Sequence, residues 1–192
     1  MNKLFCLLGE AASGKNVILE EVLKQAKEQN IKLEQCTSCT TRLPRTGEID
    51  GIDYKFVTIH QFDTDYKNEE IAEWNAYRID NIKQIWIYYT RISDINLIDK
   101  SLIKPINPTG YSQLKSKYND ELVSIWITCP KEIRRQRYIQ RGALVDNVDD
   151  RLKRDEIDFK YLITDYEVVN DGSKSIKEVA KQVLNIIKEE MM

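Results

Sequence analysis

The residues best suited to chemistry form a glycine-framed segment near the start of the chain. Gly9, Gly14 and Lys15 match the spacing G-x-x-x-x-G-K, with Asn16 where serine or threonine is usual. Glycines here let successive backbone N–H groups turn toward one anion, and a following helix adds the positive end of its dipole. The segment therefore predicts a phosphate-binding loop, with candidate nucleotide contacts at Gly9, Ala11, Ala12, Ser13, Gly14, Lys15, Asn16 and Val17.

A second group of candidate residues lies between Ser38 and Tyr54, which reads S-C-T-T-R-L-P-R-T-G-E-I-D-G-I-D-Y. Arg42 and Arg45 stand three residues apart around Pro44. Guanidinium groups offer a planar fork of donors and a tyrosine hydroxyl adds another, so the segment suits an oxyanion such as phosphate. The residues alone favour two interpretations equally: an oxyanion site, and a solvated surface turn with ordinary charges.

The remaining composition excludes several other classes of function. Cys36 and Cys39 form a lone C-x-x-C pair and His60 is the only histidine, so we predict no metal site built from these side chains. A net charge of −2 argues against binding nucleic acid through bulk charge. The apolar run over residues 4–8 is too short for a signal-peptide core or a membrane span, so we expect a cytoplasmic protein without a membrane partner.

The elements that position these residues alternate along the chain. At 192 residues the sequence suits one domain. Apolar runs and helical periodicity predict a strand at 4–8, a helix at 15–29, short strands near 54–58 and 85–89, strands at 101–107 and 123–128 around a helix at 111–118, a helix at 130–141, a polar loop at 142–150, a helix at 151–161, a strand at 166–170 and a helix at 176–187. This order predicts an α/β domain with a mainly parallel sheet.

The segment from Thr40 to Val57 closely resembles the guanylate kinase pattern T-T-R-x-P-R-x-G-E-x-x-G-x-D-Y-x-F-V. Further elements of this family follow in the same order, and the resemblance covers nearly the whole chain. These elements are I-A-E-W at 71–74, an arginine-rich helix with R-G at Arg141 and Gly142, R-L at 151–152 and V-V-N-D at 168–171.

The resemblance implies one guanylate-kinase-like domain over 1–192. Its parts would be a three-layer P-loop core at 1–34 and 96–192, an inserted α+β module for the nucleoside monophosphate at 35–95, and a short lid at about 140–150. The implied reaction is ATP-dependent phosphoryl transfer to a nucleoside monophosphate, with GMP or dGMP favoured, which gives the diphosphate and ADP. We expect a monomer or a homodimer.

The resemblance also assigns roles to individual residues. The phosphate loop and Asn170 would bind ATP. Glu73 would accept hydrogen bonds from the N1–H and amino groups of guanine, an edge that adenine lacks. The other acceptor residues would be Ser38, Arg42, Arg45, Tyr54, Tyr88 and Thr90. Positive charge for catalysis would come from Lys15, Arg42, Arg137, Arg141 and Arg151.

Three positions depart from the family pattern. Asn16 replaces the hydroxyl residue of the phosphate loop, Tyr89 replaces a glycine between Tyr88 and Thr90, and uncharged Pro105 and Asn107 occupy two acidic positions. We therefore expect Mg²⁺ to be held mainly through nucleotide phosphates and water. The alternative is a catalytically weak or inactive module that binds a nucleotide or a phosphopeptide, although the arginines that are kept favour activity.

Overall fold

The computed structural model describes residues 1–79, 84–140 and 145–192. In chain order its strands and helices are β1 (Leu4–Leu8), α1 (Lys15–Glu28), β2 (Leu33–Gln35), β3 (Cys39–Thr40), β4 (Lys55–Phe56), α2 (Ile59–Lys67), β5 (Ile71–Ile79), β6 (Gln84–Arg91), β7 (Ser101–Pro105), α3 (Pro108–Tyr118), β8 (Leu122–Thr128), α4 (Lys131–Gln140), α5 (Val145–Phe159), β9 (Tyr166–Val169) and α6 (Ile176–Met191).

The central sheet is parallel throughout and has the strand order β2-β7-β1-β8-β9. All five residues of β1 are buried, as expected for a parallel strand covered on both faces. Phe5 and Leu7 pack with α1 and α6, whereas Leu4, Cys6 and Leu8 pack with residues of α3 and α5. This alternation creates three layers and confirms the predicted α/β class with a mainly parallel sheet.

A second, four-stranded sheet has the order β4-β3-β6-β5 and is mainly antiparallel. Helix α2 begins after Thr58, whose side chain accepts a hydrogen bond from the backbone N–H of Gln61, and it packs on this sheet through Phe62. Tyr89 is fully buried in the same small core, and its hydroxyl donates to Asp65 at 2.6 Å. Since neighbouring strand residues face opposite sides, the tyrosine that replaces the family glycine lies against α2.

The prediction of a polar loop over 142–150 is wrong from residue 145 onward, because α5 starts at Val145. Val148, Leu152, Asp155 and Phe159 are buried at helical spacing, so a single face of α5 supplies its packing. Arg141 and Gly142 lie outside the described residues, as does much of the predicted lid. In the described part of the chain, no helix is both long and apolar enough to span a membrane.

Candidate active site

The phosphate loop connects the end of β1 to the start of α1. Gly14 has a φ of 96°, and a Cβ atom there would collide with the side chain of Asn170, so glycine is required. Asn170 donates through Nδ2 to the backbone carbonyl of Ser13 at 2.7 Å and supports the loop from the end of β9. The loop is therefore held from behind while its open side faces a cleft.

Lys15 folds back across this loop. Its ammonium donates to the backbone carbonyls of Gly9 and, at 3.0 Å, Glu10. Burial lowers the pKa of Lys15 to about 8, although Asp155 and Glu10 act in the opposite direction. The ammonium is a mobile point charge on a long stem, so it can leave the carbonyls for the oxygens of a phosphate.

Asp155 of α5 contacts the loop backbone. Its Oδ2 atom accepts a hydrogen bond from the backbone N–H of Ala11 at 2.8 Å and lies 3.3 Å from Nη1 of Arg134. Its Oδ1 atom lies 3.2 Å from Nε of Arg151, and the residue is 1% exposed. This carboxylate fixes two arginines beside the loop.

Arg137 lies next to the loop backbone. Its Nη1 atom is 3.4 Å from the carbonyl oxygens of both Ala12 and Ser13, and Nη2 is 3.5 Å from that of Asn170. The guanidinium is therefore engaged by the loop carbonyls and Asn170.

At the other end of the cleft, Arg42 is 4% exposed and is held by hydrogen bonds to its neighbours. Its two terminal nitrogens each donate to a carboxylate oxygen of Glu48 at 2.6 Å, and Nε donates to the Tyr88 hydroxyl at 3.1 Å. The ring of Tyr54 lies 5.0 Å from the guanidinium carbon. This bidentate contact lowers the pKa of Glu48 to about 2 and raises that of Arg42.

Glu73 lies deeper at this end, on β5, where its cross-strand neighbour on β6 is Thr90. Its Oε1 atom accepts hydrogen bonds from Thr90 Oγ1 at 2.5 Å and from Lys104 Nζ at 2.7 Å. Burial alone would lower the pKa of Lys104, but the combined effect of Glu73 and its other neighbours leaves that pKa raised. Glu73 is thus a buried carboxylate with a charged partner.

One cleft of about 680 Å³ connects the phosphate loop with Arg42 and Glu73. The predicted site residues that line it are Gly9, Ala11, Ala12, Gly14, Lys15, Asn16, Val17, Ser38, Arg42, Arg45, Tyr54, Glu73, Tyr88 and Arg151. Thr90 lies behind Glu73, whereas Ser13, Arg137 and Asn170 lie behind or beside the loop. Arg141 lies outside the described residues.

A family model described as guanylate kinase matches residues 1–190. The chain belongs to the guanylate kinase family. A guanylate kinase of Malacoplasma penetrans (strain HF-2) is 27% identical over 190 residues, which are 95% of this chain and 92% of that protein. A guanylate kinase of Mesomycoplasma hyopneumoniae (strain J) is 28% identical over 202 aligned positions, which cover 100% of this chain and 96% of that protein.

A solved structure of guanylate kinase from Anaplasma phagocytophilum resembles this chain with a TM-score of 0.68 at 23% identity. The match covers 100% of this chain and 87% of that one, so it supports the fold. Members of this family are nucleoside monophosphate kinases.

Near the phosphate loop and the start of α3, the described side chains offer few ligands for a metal ion. Asn16 is exposed at the start of α1 and presents an amide oxygen. Asn107 donates to the Tyr77 hydroxyl at 2.6 Å and accepts from the backbone N–H of Gly110 at 2.7 Å, so it caps α3. In the described ranges, no three His, Cys, Asp or Glu side chains form a metal cluster. This donor set fits an Mg²⁺ ion that keeps phosphate and water ligands.

Sequence reasoning missed three residues that shape this guanylate kinase site: Glu48, Lys104 and Asp155. Asp155 follows Arg151 at the i,i+4 spacing of helical ion pairs, which would have indicated the contact. Lys104 interrupts an apolar strand, and a buried ammonium needs an anionic partner. Glu48 belongs to the matched family pattern, but its contact with Arg42 depends on the loop conformation.

Proposed function

We propose that this chain transfers the γ-phosphoryl group of ATP to GMP or dGMP, giving ADP and the nucleoside diphosphate. The observation that carries the proposal is the single cleft that joins Lys15 of the phosphate loop to Arg42 and Glu73. A phosphate-binding loop at one end and a guanidinium beside a carboxylate at the other match the two substrates of such a kinase.

In this proposal Glu73 accepts hydrogen bonds from the guanine edge, while Arg42, Arg45, Tyr54 and Tyr88 bind the acceptor phosphate. Arg42 now donates both terminal nitrogens to Glu48 and Nε to Tyr88, so the acceptor phosphate meets a guanidinium already fixed in orientation. Such preorganisation lowers the entropy lost on binding. Residues 35–95 act as the acceptor module over the core, with the lid at about 140–150.

The chemical step is an in-line displacement at the γ-phosphorus of ATP. An acceptor phosphate oxygen forms the new P–O bond, the bond to the β,γ-bridging oxygen breaks, and ADP carries away that electron pair. In this proposal Lys15 and Arg151, which both line the cleft, neutralise the charge that spreads over the transferred oxygens. Mg²⁺ would supply further charge neutralisation when bound with ATP, and Asn16 would be the residue of the phosphate loop that contacts it.

A second candidate is a module that binds nucleotide without turnover. Its support is that the Asn107 side chain caps α3 and is thereby used for structure and not for a metal. A coupled assay of ADP formation with GMP, dGMP, AMP, CMP and UMP, in Mg²⁺ and in Mn²⁺, distinguishes the two. We expect turnover with a guanine nucleotide and its loss in Lys15→Met. Binding of GMP with no turnover in either metal would favour the second candidate.

A further inference from the structure

Lys104 lies in the otherwise apolar strand β7 and has no solvent exposure. Its ammonium donates to Glu73 Oε1 at 2.7 Å and to the Thr90 hydroxyl, and Thr90 donates to the same carboxylate oxygen at 2.5 Å. A buried ammonium without a carboxylate would be costly, so Lys104 and Glu73 stabilise each other's charge. Oε1 of Glu73 is therefore occupied from the core side.

The second oxygen of Glu73 is held against the first turn of α3. A Cβ atom on Gly110 would lie 2.6 Å from Oε2, so the carboxylate uses the space left by that glycine. Among the described residues, Glu73 lines the cleft while Lys104 and Thr90 lie behind it. The two oxygens thus have different surroundings, and the carboxylate has a defined orientation.

The backbone that carries Glu73 is fixed by other residues. A register irregularity in β5 lies between Ile71 and Glu73. Lys117 donates to the carbonyls of Ile71 and Ala72 at 3.0 and 2.8 Å, and Gln113 forms hydrogen bonds with both backbone groups of Trp74. Lys104 therefore acts on the carboxylate, and Lys117 acts on the strand.

We propose that Lys104 is a specificity-determining positioning residue, which holds the Glu73 carboxylate charged and in one orientation for the base of the acceptor nucleotide. The inference rests on the proposed function. Guanine offers N1–H and amino donors to such a carboxylate, whereas adenine presents an acceptor at N1. Loss of Lys104 should therefore weaken the binding of GMP more than the binding of AMP, and should leave the phosphate contacts of Arg42 unchanged.

The charge balance around the pair is simple. The ionisable groups of the described chain near the pair include the thiols of Cys6 on β1 and Cys36 after β2, and the Lys117 ammonium on the backbone of β5. Burial raises the pKa of Cys6 to about 12 and raises that of Cys36, so both stay neutral near pH 7. Without Lys104, Glu73 would become a buried carboxylate with only hydroxyl support, which is costly.

A double-mutant cycle tests the inference. The binding of GMP and of AMP is measured by calorimetry for wild type, Lys104→Met, Glu73→Gln and the double variant. We expect Lys104→Met to reduce the preference for GMP over AMP by about tenfold or more, while the affinity for AMP itself stays within about twofold of wild type. In the Glu73→Gln background the same change should alter the preference by less than about twofold.

Lys117→Met is the matched control, since it removes a lysine of α3 that contacts the backbone of β5 and not the Glu73 carboxylate, and the preference should stay unchanged. An equal loss of preference in both Glu73 backgrounds would overturn the inference. If Lys104→Met does not fold, Lys104→Gln takes its place in the same cycle, because it keeps an N–H donor and removes the charge.

The cycle separates the two proposals. Wild type that binds GMP without turnover overturns the proposed function only, and the binding cycle still decides the role of Lys104. Wild type that binds no GMP overturns both. Turnover of GMP with independent effects of Lys104 and Glu73 overturns the inference alone.

Discussion

Replacing Glu48 by glutamine should make the stability of the chain less sensitive to acid. Glu48 has a pKa of about 2 instead of its ordinary 4.5, because Arg42 donates to both of its oxygens. A carboxyl whose pKa is lower in the folded state adds stability above its unfolded pKa, and this stability is lost as the pH falls from about 4.5 toward 2.

The magnitude follows from that difference. The interval between 4.5 and about 2 corresponds to roughly 3 kcal/mol, at about 1.4 kcal/mol for each pH unit. Because the Glu48 side chain is 18% exposed, solvent screening reduces the expected contribution to about 2 kcal/mol at pH 7. More than half of it should be gone by pH 3. Glutamine keeps one acceptor for Arg42 but lacks the charge.

Urea unfolding at pH 7 and pH 3, followed by tryptophan fluorescence, measures this effect. Trp74 and Trp86 report on the sheet that Arg42 adjoins. Wild type should exceed Glu48→Gln in unfolding free energy by about 2 kcal/mol at pH 7 and by less than about 1 kcal/mol at pH 3. Glu34→Gln, in an exposed pair with Lys100, should change stability by less than about 0.5 kcal/mol at both. An equal difference between wild type and Glu48→Gln at both pH values would refute the reasoning.

Three further predictions concern the phosphate loop. Asn16→Ser should raise kcat about tenfold and lower the Mg²⁺ concentration for half-maximal rate, because a compact hydroxyl is the usual ligand there; an unchanged Mg²⁺ titration would contradict this. Asp155→Ala should lower the unfolding free energy by about 3 kcal/mol, since it leaves Arg134 buried without its closest carboxylate, whereas exposed Asp149→Ala should leave the unfolding free energy nearly unchanged; equal losses in urea unfolding would count against the buried pair. ATP affinity should fall about tenfold per pH unit above the Lys15 pKa of about 8, because phosphate binds the protonated amine; calorimetry that shows a flat profile from pH 8 to 9.5 would exclude this role.

The sequence predicts best the parts of the fold that local patterns determine. The apolar run of β1, the loop ending at Gly14 and Lys15, and the amphipathic α1 follow each other as the spacing requires, and the structure confirms them. The family pattern around Arg42 also predicts residues that line the cleft. In each case the physical reason lies within a few residues of chain.

Other features depend on partners far away in the sequence. The sequence pattern did not predict strand β5, because its buried side includes the charged residue Glu73 and so lacks a regular apolar alternation. Glu73 is stabilised there by Lys104 from another strand. The polar residues after Val145 suggest a loop, yet Leu152 and its buried neighbours on α5 pack the helix on the core. Such pairings become evident only when the two sheets are placed together.

The most direct test of the account is the rate of GDP formation by the wild-type chain from GMP, with ATP and Mg²⁺, against the rate of ADP formation from AMP. The account predicts measurable turnover with GMP, a kcat/KM for GMP at least about a hundredfold above that for AMP, and loss of turnover in Lys15→Met. Equal rates with both acceptors, or no GDP from enzyme that binds ATP and GMP, would contradict it.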